Sequence, residues 1–269
     1  MKIENINVGI VQGRLTKSKK LQHFPKNPSK EFFLAKKLGY KFIEIFAERK
    51  INKLNPIWFG YQNSYVQNNI DNNLSFFSAC DDFVILNGFN KRYLVYIESL
   101  INNISKLEIK RLIIPLEGKS KVTKQNVKKI ILYLRKISKI CSKKKIPYLL
   151  IESNCSYSIF EQIKKGVKYK NLFFLYDLGN RAKYYPNVYE DILKFGKNIK
   201  HIHIKDKNSK NENVIIGSGK VHFVRAFKAI KKIFKKDLAF VFENNRGSNP
   251  ESTAKKNLKF LKGLIQNTI

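Results

Sequence analysis

Three carboxylates and one histidine occupy equivalent places in this chain. They are Glu152 in "LLIESN", Asp177 in "FLYDLGN", His203 in "HIHIKD" and Glu243 in "FVFENN". Each comes after a run of apolar residues, so each falls near the C-terminal end of a predicted buried strand. An unpaired charge at such a position is costly and needs a partner. One shared cation would neutralise all three carboxylates at once. Hard oxygen ligands with a single imidazole favour Mn²⁺ or Mg²⁺, with Co²⁺ as a third candidate, over a structural zinc site rich in thiolate or histidine. Salt bridges to inward lysines or arginines are the competing account. Four such residues at matching depth on consecutive strands favour the metal.

The segment "IKHIHIKDKN", residues 199–208, holds two of the four histidines. Residues two apart on a strand share a face. With that face inward, His203 lies nearer the strand's C-terminal end and is the ligand. His201 lies one layer deeper, as a hydrogen-bonded core residue. Lys205 lies one step further out, where it would meet a substrate oxygen or phosphate. Gln12 and Arg14 after the first strand, and Glu117 after the fourth, are further candidate substrate contacts at strand ends. Arg14 is expected to pair with Glu44 on the second strand, a substrate phosphate being the alternative partner. His23 and Phe24 belong to either a lid or an ordinary packed loop. Trp58 is expected in the core, and His222, at a predicted helix start, is expected to be structural or on the surface.

The elements that must position these residues alternate along the chain. Short β-branched and aromatic runs occur at 6–13, 41–47, 74–80, 110–118, 147–154, 172–180, 199–206 and 238–245. Amphipathic helical segments come after most of them. "SKEFFLAKKLGY" opens on Ser29 as an N-cap and stops at Gly39. "TKQNVKKIILYLRKISKICSKKK" carries apolar residues at i, i+3, i+4 and i+7 and ends in lysines, as a helix C-terminus favours. Eight strands alternating with helices predict a single (β/α)8 barrel domain over residues 1–269. In that fold, chemistry sits at the C-terminal ends of the strands. An open doubly wound sheet would call for a G-x-G-x-x-G turn after the first strand, which here ends "VQGRL".

The formal net charge is +33. A large positive charge suggests a nucleic-acid or membrane-surface partner. Here the excess is mostly lysine spread along the chain, accompanied by much isoleucine and asparagine, as an AT-rich coding sequence produces. It therefore reads as solvated charge that would also steer anionic substrates inward. Cys80, Cys141 and Cys155 lack C-x-x-C spacing and read as core residues of a reducing compartment. The N-terminal segment lacks signal-peptide form, and no apolar run approaches a membrane span. A cytoplasmic location without membrane attachment is expected.

Motifs along the chain resemble the xylose isomerase-like TIM-barrel superfamily, the sugar phosphate isomerase/epimerase group. "VGIVQGRL" resembles its first strand and "LQHFPKN" its Q-x-F-P loop. "LGYKFIEI" resembles its helix-to-second-strand signature, with "NPIW" coming after it as in the group. "YDLGN", "HIHIKD" and "GSGKVHF" are the most specific matches, the last similar to a G-x-G-x-V-D-F segment. The closest likeness is to pentulose- and hexulose-phosphate 3-epimerases and ketose 3-epimerases. The resemblance implies that Glu152, Asp177, His203 and Glu243 hold the metal. It also implies that Glu152 and Glu243 exchange protons with the substrate through a cis-enediolate. Asn180 stands where ketose 3-epimerases place a substrate-contacting histidine, which leans toward a phosphorylated sugar. Asp206 and Lys207 likewise alter the sugar-contacting shell.

The expected activity is that of a sugar or sugar-phosphate epimerase, with aldose–ketose isomerisation as its variant. Small-molecule substrates, and association into a homo-oligomer as in relatives, are expected. An apurinic endonuclease-like activity is the rival on the same fold. Four histidines are too few for the three-metal centre of such a nuclease. A non-catalytic nucleic-acid-binding barrel is the remaining alternative.

Overall fold

A computed structural model of the chain describes residues 6–18, 22–25, 28–48, 52, 55–59 and 74–267. Leu21, Lys26 and Asn27 of the "LQHFPKN" segment lie outside them. The barrel strands are β1 (Asn7–Val11), β2 (Phe42–Ala47), β3 (Ser75–Asp81), β4 (Arg111–Pro115), β5 (Tyr148–Glu152), β6 (Leu172–Asp177), β7 (Ile199–Ile204) and β10 (Ala239–Phe242). They close in the order β1-β10-β7-β6-β5-β4-β3-β2, a (β/α)8 barrel as the alternation predicts. β2, β4 and β10 are buried along their whole length. Strands covered on both faces read as continuous apolar runs, which is why the pattern is legible.

One hairpin lies outside the predicted pattern. β8 (Asp206–Lys207) pairs antiparallel with β9 (Asn213–Val214) directly after β7. Two-residue strands are too short for any periodicity to announce them.

The contacts divide the chain into two compact units. The first comprises residues 1–43 and 176–269. In it β10 pairs parallel with both β1 and β7, and Val241 stands opposite His203. Its first helix runs Pro28–Leu38, so Ser29 is inside the helix and not its N-cap. Proline at the first helical position explains the shift: its fixed φ suits a helix and its missing N–H needs no partner. Gly39 ends that helix at φ +94°, as expected. The helix Phe223–Ile233 starts just after His222.

The second unit comprises residues 44–175, with β3, β4 and β5 in parallel register. Its long helices, Lys91–Lys106 and Val127–Lys143, bury apolar faces that include Leu100, Ile104, Leu134 and Ile137. Asn90 caps the first of these by accepting from the Tyr93 N–H at 2.9 Å. Cys80, Cys141 and Cys155 are free thiols in buried positions, and burial pushes the Cys141 thiol up to about 12. No helix among the described residues is long and apolar enough to cross a membrane.

Candidate functional site

The first unit gathers three of the four predicted ligands. β7 turns His201 and His203 to the same side, and both are fully buried. Their rings meet edge-on, with centroids 5.3 Å apart. Asp177 is the last residue of β6, and Glu243 comes directly after β10. The Glu243 backbone N–H donates to the Ile204 carbonyl at 3.1 Å, which registers it beside the end of β7. His203 Nδ1 then lies 3.1 Å from Glu243 Oε2 and 3.8 Å from Asp177 Oδ2.

Lys205 completes the cluster. It is only 5% exposed. Its Nζ lies 2.6 Å from Asp177 Oδ2 and 2.8 Å from Glu243 Oε2. The lysine salt bridge that competes with a metal in the sequence reading is therefore formed. Burial alone would raise both carboxyl pKa values. Lys205, and after it His203, outweigh that effect, so Asp177 is lowered and Glu243 falls well below the ordinary range.

The donor set fits a divalent cation. Asp177, His203 and Glu243 are buried, and each offers a ligand atom within 4.8 Å of the others'.

The other oxygen of Glu243 is held separately. Gln22 Nε2 donates to Oε1 at 2.7 Å, and Arg14 Nη2 approaches it at 3.5 Å. Gln22 in turn accepts from Arg14 Nη2 at 2.9 Å. This corrects the expected Arg14–Glu44 pair. Arg14 faces Gln22 and Glu243, while Glu44 accepts from the Ser78 hydroxyl at 2.7 Å. Arg14 lies in the turn after β1, a position from which strand alternation cannot set its direction.

Three participants escape the sequence reading. Gln22 is visible only inside the "LQHF" motif. Glu31 is buried and accepts from the backbone N–H groups of Gly13 and Leu15, which fixes the turn carrying Arg14. Burial pushes Glu31 up to about 7. Arg246 donates to the Gly13 carbonyl at 2.6 Å and lies 2.9 Å from His23 Nδ1. Burial, then the nearby Arg14 charge, lowers Arg246 to about 10. His23 also meets the Thr16 hydroxyl at 3.0 Å, so it belongs to a packed loop. Gly13 has φ +75°, and a Cβ there would strike the His23 carbonyl, so the turn requires glycine.

The sequence profile of the xylose isomerase-like TIM barrel family matches residues 32–264. The chain belongs to that family. No curated protein matches the sequence. Among solved structures, an L-ribulose 3-epimerase is similar with a TM-score of 0.78 at 14% identity, over 98% of this chain and 95% of that one. A xylose isomerase domain protein from Planctomyces limnophilus gives 0.77 at 12%, over 98% of both chains. The IOLI protein with a bound zinc atom gives 0.77 at 16%, over 98% and 99%. At these identities the likeness establishes the fold.

The other sequence candidates take varied places in this xylose isomerase-like barrel. Glu152 is the last residue of β5, 7% exposed, and its carbonyl accepts from the Leu116 N–H at 2.8 Å. It stands opposite Leu175, two residues before Asp177 on the neighbouring strand. Gln12 is buried just after β1. The Asn180 N–H donates to Asp177 Oδ1 at 2.7 Å, so Asp177 caps the short helix Leu178–Ala182. Glu117 forms a reciprocal capping box with Ser120 just after β4. Trp58 packs on Tyr96, with ring centroids 5.4 Å apart.

Proposed function

We propose that this protein is a divalent-metal-dependent sugar or sugar-phosphate epimerase or isomerase. The observation that carries the reading is the buried convergence of Asp177, His203 and Glu243 at the ends of adjacent barrel strands. Glu152 is the fourth proposed ligand, because it closes β5 beside the strand that ends in Asp177. Mn²⁺ or Mg²⁺, with Co²⁺ as a third choice, suits this set. The fold shared with an L-ribulose 3-epimerase and with a zinc-bound protein supports a metal-dependent epimerase or isomerase, whichever divalent cation it takes.

A divalent cation supplies charge that stabilises a substrate oxygen as a neighbouring C–H bond loses its proton. The protein's residues divide the rest. One of Glu152 and Glu243 removes the proton, leaving a cis-enediolate. The other returns a proton to the opposite face, inverting the carbon. Delivery to the adjacent carbon instead makes the reaction an aldose–ketose isomerisation. Gln22 and Arg14 orient Glu243 Oε1 for whichever of these roles it takes.

Arg14 is the strongest candidate for binding a substrate oxygen. It is 1% exposed, and its Nε and Nη1 have no hydrogen-bond partner among the described residues. Buried donors left in that state are costly and call for an acceptor. Lys205, Asn180, Gln12 and Glu117 are the further proposed contacts. Lys205 would exchange its bond to a carboxylate for one to substrate.

The test is exchange of a substrate C–H proton with solvent deuterium, monitored by NMR across a panel of sugars and sugar phosphates with Mn²⁺ present. At least one member is expected to exchange, and a chelator or Glu243→Gln is expected to abolish it. A panel in which nothing exchanges rejects the reading.

A further inference from the structure

Asp206 places its carboxylate among four backbone N–H groups and, among the described residues, pairs with no cation through it. The N–H groups of Lys207, Gly217, Gly219 and Val221 donate to it at 2.8–3.1 Å. The acid thus fixes the "GSGKV" loop, and the Lys220 N–H is tied to the Lys207 carbonyl at 2.8 Å. Gly219 has no alternative here, since a Cβ would collide with Asp206 Oδ1. The loop holds Lys220 beside a cavity of 260 Å³ that Lys183, Lys207, Asn208 and Asn211 also line. No acidic side chain among the described residues lines it. Gly179 forms the wall toward the carboxylate cluster, and a Cβ there would approach Lys205 Cγ to 2.7 Å. The cavity therefore abuts the side chain that bridges Asp177 and Glu243.

Lysines cover this protein, so charge alone does not mark a site. The distinguishing features are a concave space, a loop fixed by a buried acid, ammonium groups from two separate segments, and one shared wall with the carboxylate cluster. Lys183 and Lys220 make no ion pair among the described residues. The Lys183 and Lys220 ammonium groups beside a concave space match an oxyanion with several acceptor oxygens, whereas the Asn208 amide is already bonded to Glu212 Oε2 at 2.8 Å.

We propose that this cavity receives the phosphate of a phosphorylated sugar whose reacting carbons lie at the Asp177–His203–Glu243 cluster. The inference rests on the epimerase or isomerase reading for the identity of that sugar. It does not rest on it for the anion site itself.

Inorganic phosphate is the probe, titrated calorimetrically into the full chain at about 150 mM KCl to screen the general surface field. The double variant Lys183→Gln/Lys220→Gln removes two exposed side chains and is expected to fold. Its phosphate dissociation constant should rise by about tenfold or more. A control pair on an exposed helix face, Lys128→Gln/Lys136→Gln, should leave the constant unchanged. Equal losses in both variants, or no loss in the first, would overturn the assignment. The two readings separate in the deuterium-exchange assay. Pocket-specific phosphate binding without exchange of any sugar retains the anion site and rejects the enzyme reading. Exchange of free sugars with phosphate binding indifferent to the pocket variant does the reverse.

Discussion

Lys205 and Glu243 form a buried ion pair, Nζ to Oε2 at 2.8 Å, and the same ammonium reaches Asp177 at 2.6 Å. One lysine thus balances two carboxylates at the ends of two different strands. Removing one partner of a buried pair leaves charge without compensation, at a cost of about 3–5 kcal/mol. Lys205→Met should therefore lower the melting temperature markedly. Added Mn²⁺ should restore more stability in the variant than in the parent protein, because the cation and the ammonium seek the same oxygens. Calorimetric melts with and without Mn²⁺ decide this; an equal metal effect in both proteins would separate the metal from this cluster.

The Gln22 amide holds Glu243 Oε1 at 2.7 Å. A hydrogen bond to a charged group contributes about 1.5–3 kcal/mol. Gln22→Ala is expected to slow proton exchange by about tenfold or more while leaving the fold intact, since Gln22 is half-buried in a loop. The rate of deuterium incorporation measures it, and circular dichroism checks the fold. An unchanged rate would make the Gln22 contact irrelevant to the chemistry.

Asp81 offers a pH prediction away from the site. It is fully buried, accepts from the Tyr93 and Tyr96 hydroxyls at 2.6 and 3.1 Å, and burial pushes it up to about 7. A carboxyl raised above its unfolded value binds a proton in the folded state that the unfolded state has released. Its contribution is full below about pH 4 and is lost as pH rises to about 7. Denaturant melts between pH 4 and 7 should show this decline, and Asp81→Asn should make it shallower, leaving the share that Glu31, also raised to about 7, contributes. Asp177 and Glu243, shifted the other way, contribute stability above the ordinary carboxylate range and lose it as pH falls.

Gly219→Ala tests the loop that Asp206 organises. The added Cβ would displace the Asp206 carboxylate from its backbone donors. A loss of about 1–3 kcal/mol is expected from the forced shift, with phosphate binding weakened at the same time. Unaltered phosphate titration in this variant would mean that Lys220 does not need the loop's geometry.

Much of this protein can be read along the chain. Eight apolar runs between amphipathic helices are enough for the barrel, because a strand buried on both faces leaves a continuous signature. Asp177, His203 and Glu243 stand out as polar residues closing such runs, and alternation along β7 puts His201, His203 and Lys205 on one side. Strand periodicity is local, so it survives without knowledge of the partners.

Partner choice is not local. Arg14 and Glu44 both belong to early strand segments, which suggests a pair, yet Arg14 faces Gln22 and Glu243, the latter 229 residues away. Arg246 and Glu31 buttress the first turn from distant segments, and nothing in their own neighbourhoods announces it. Lys205 is legible as an inward lysine, but not as the group bridging two carboxylates. The sequence by itself determined which residues end the strands and which face they take, since backbone geometry dictates both. Only the tertiary structure decided which charges meet, because closing the sheet sets distances that no spacing along the chain encodes.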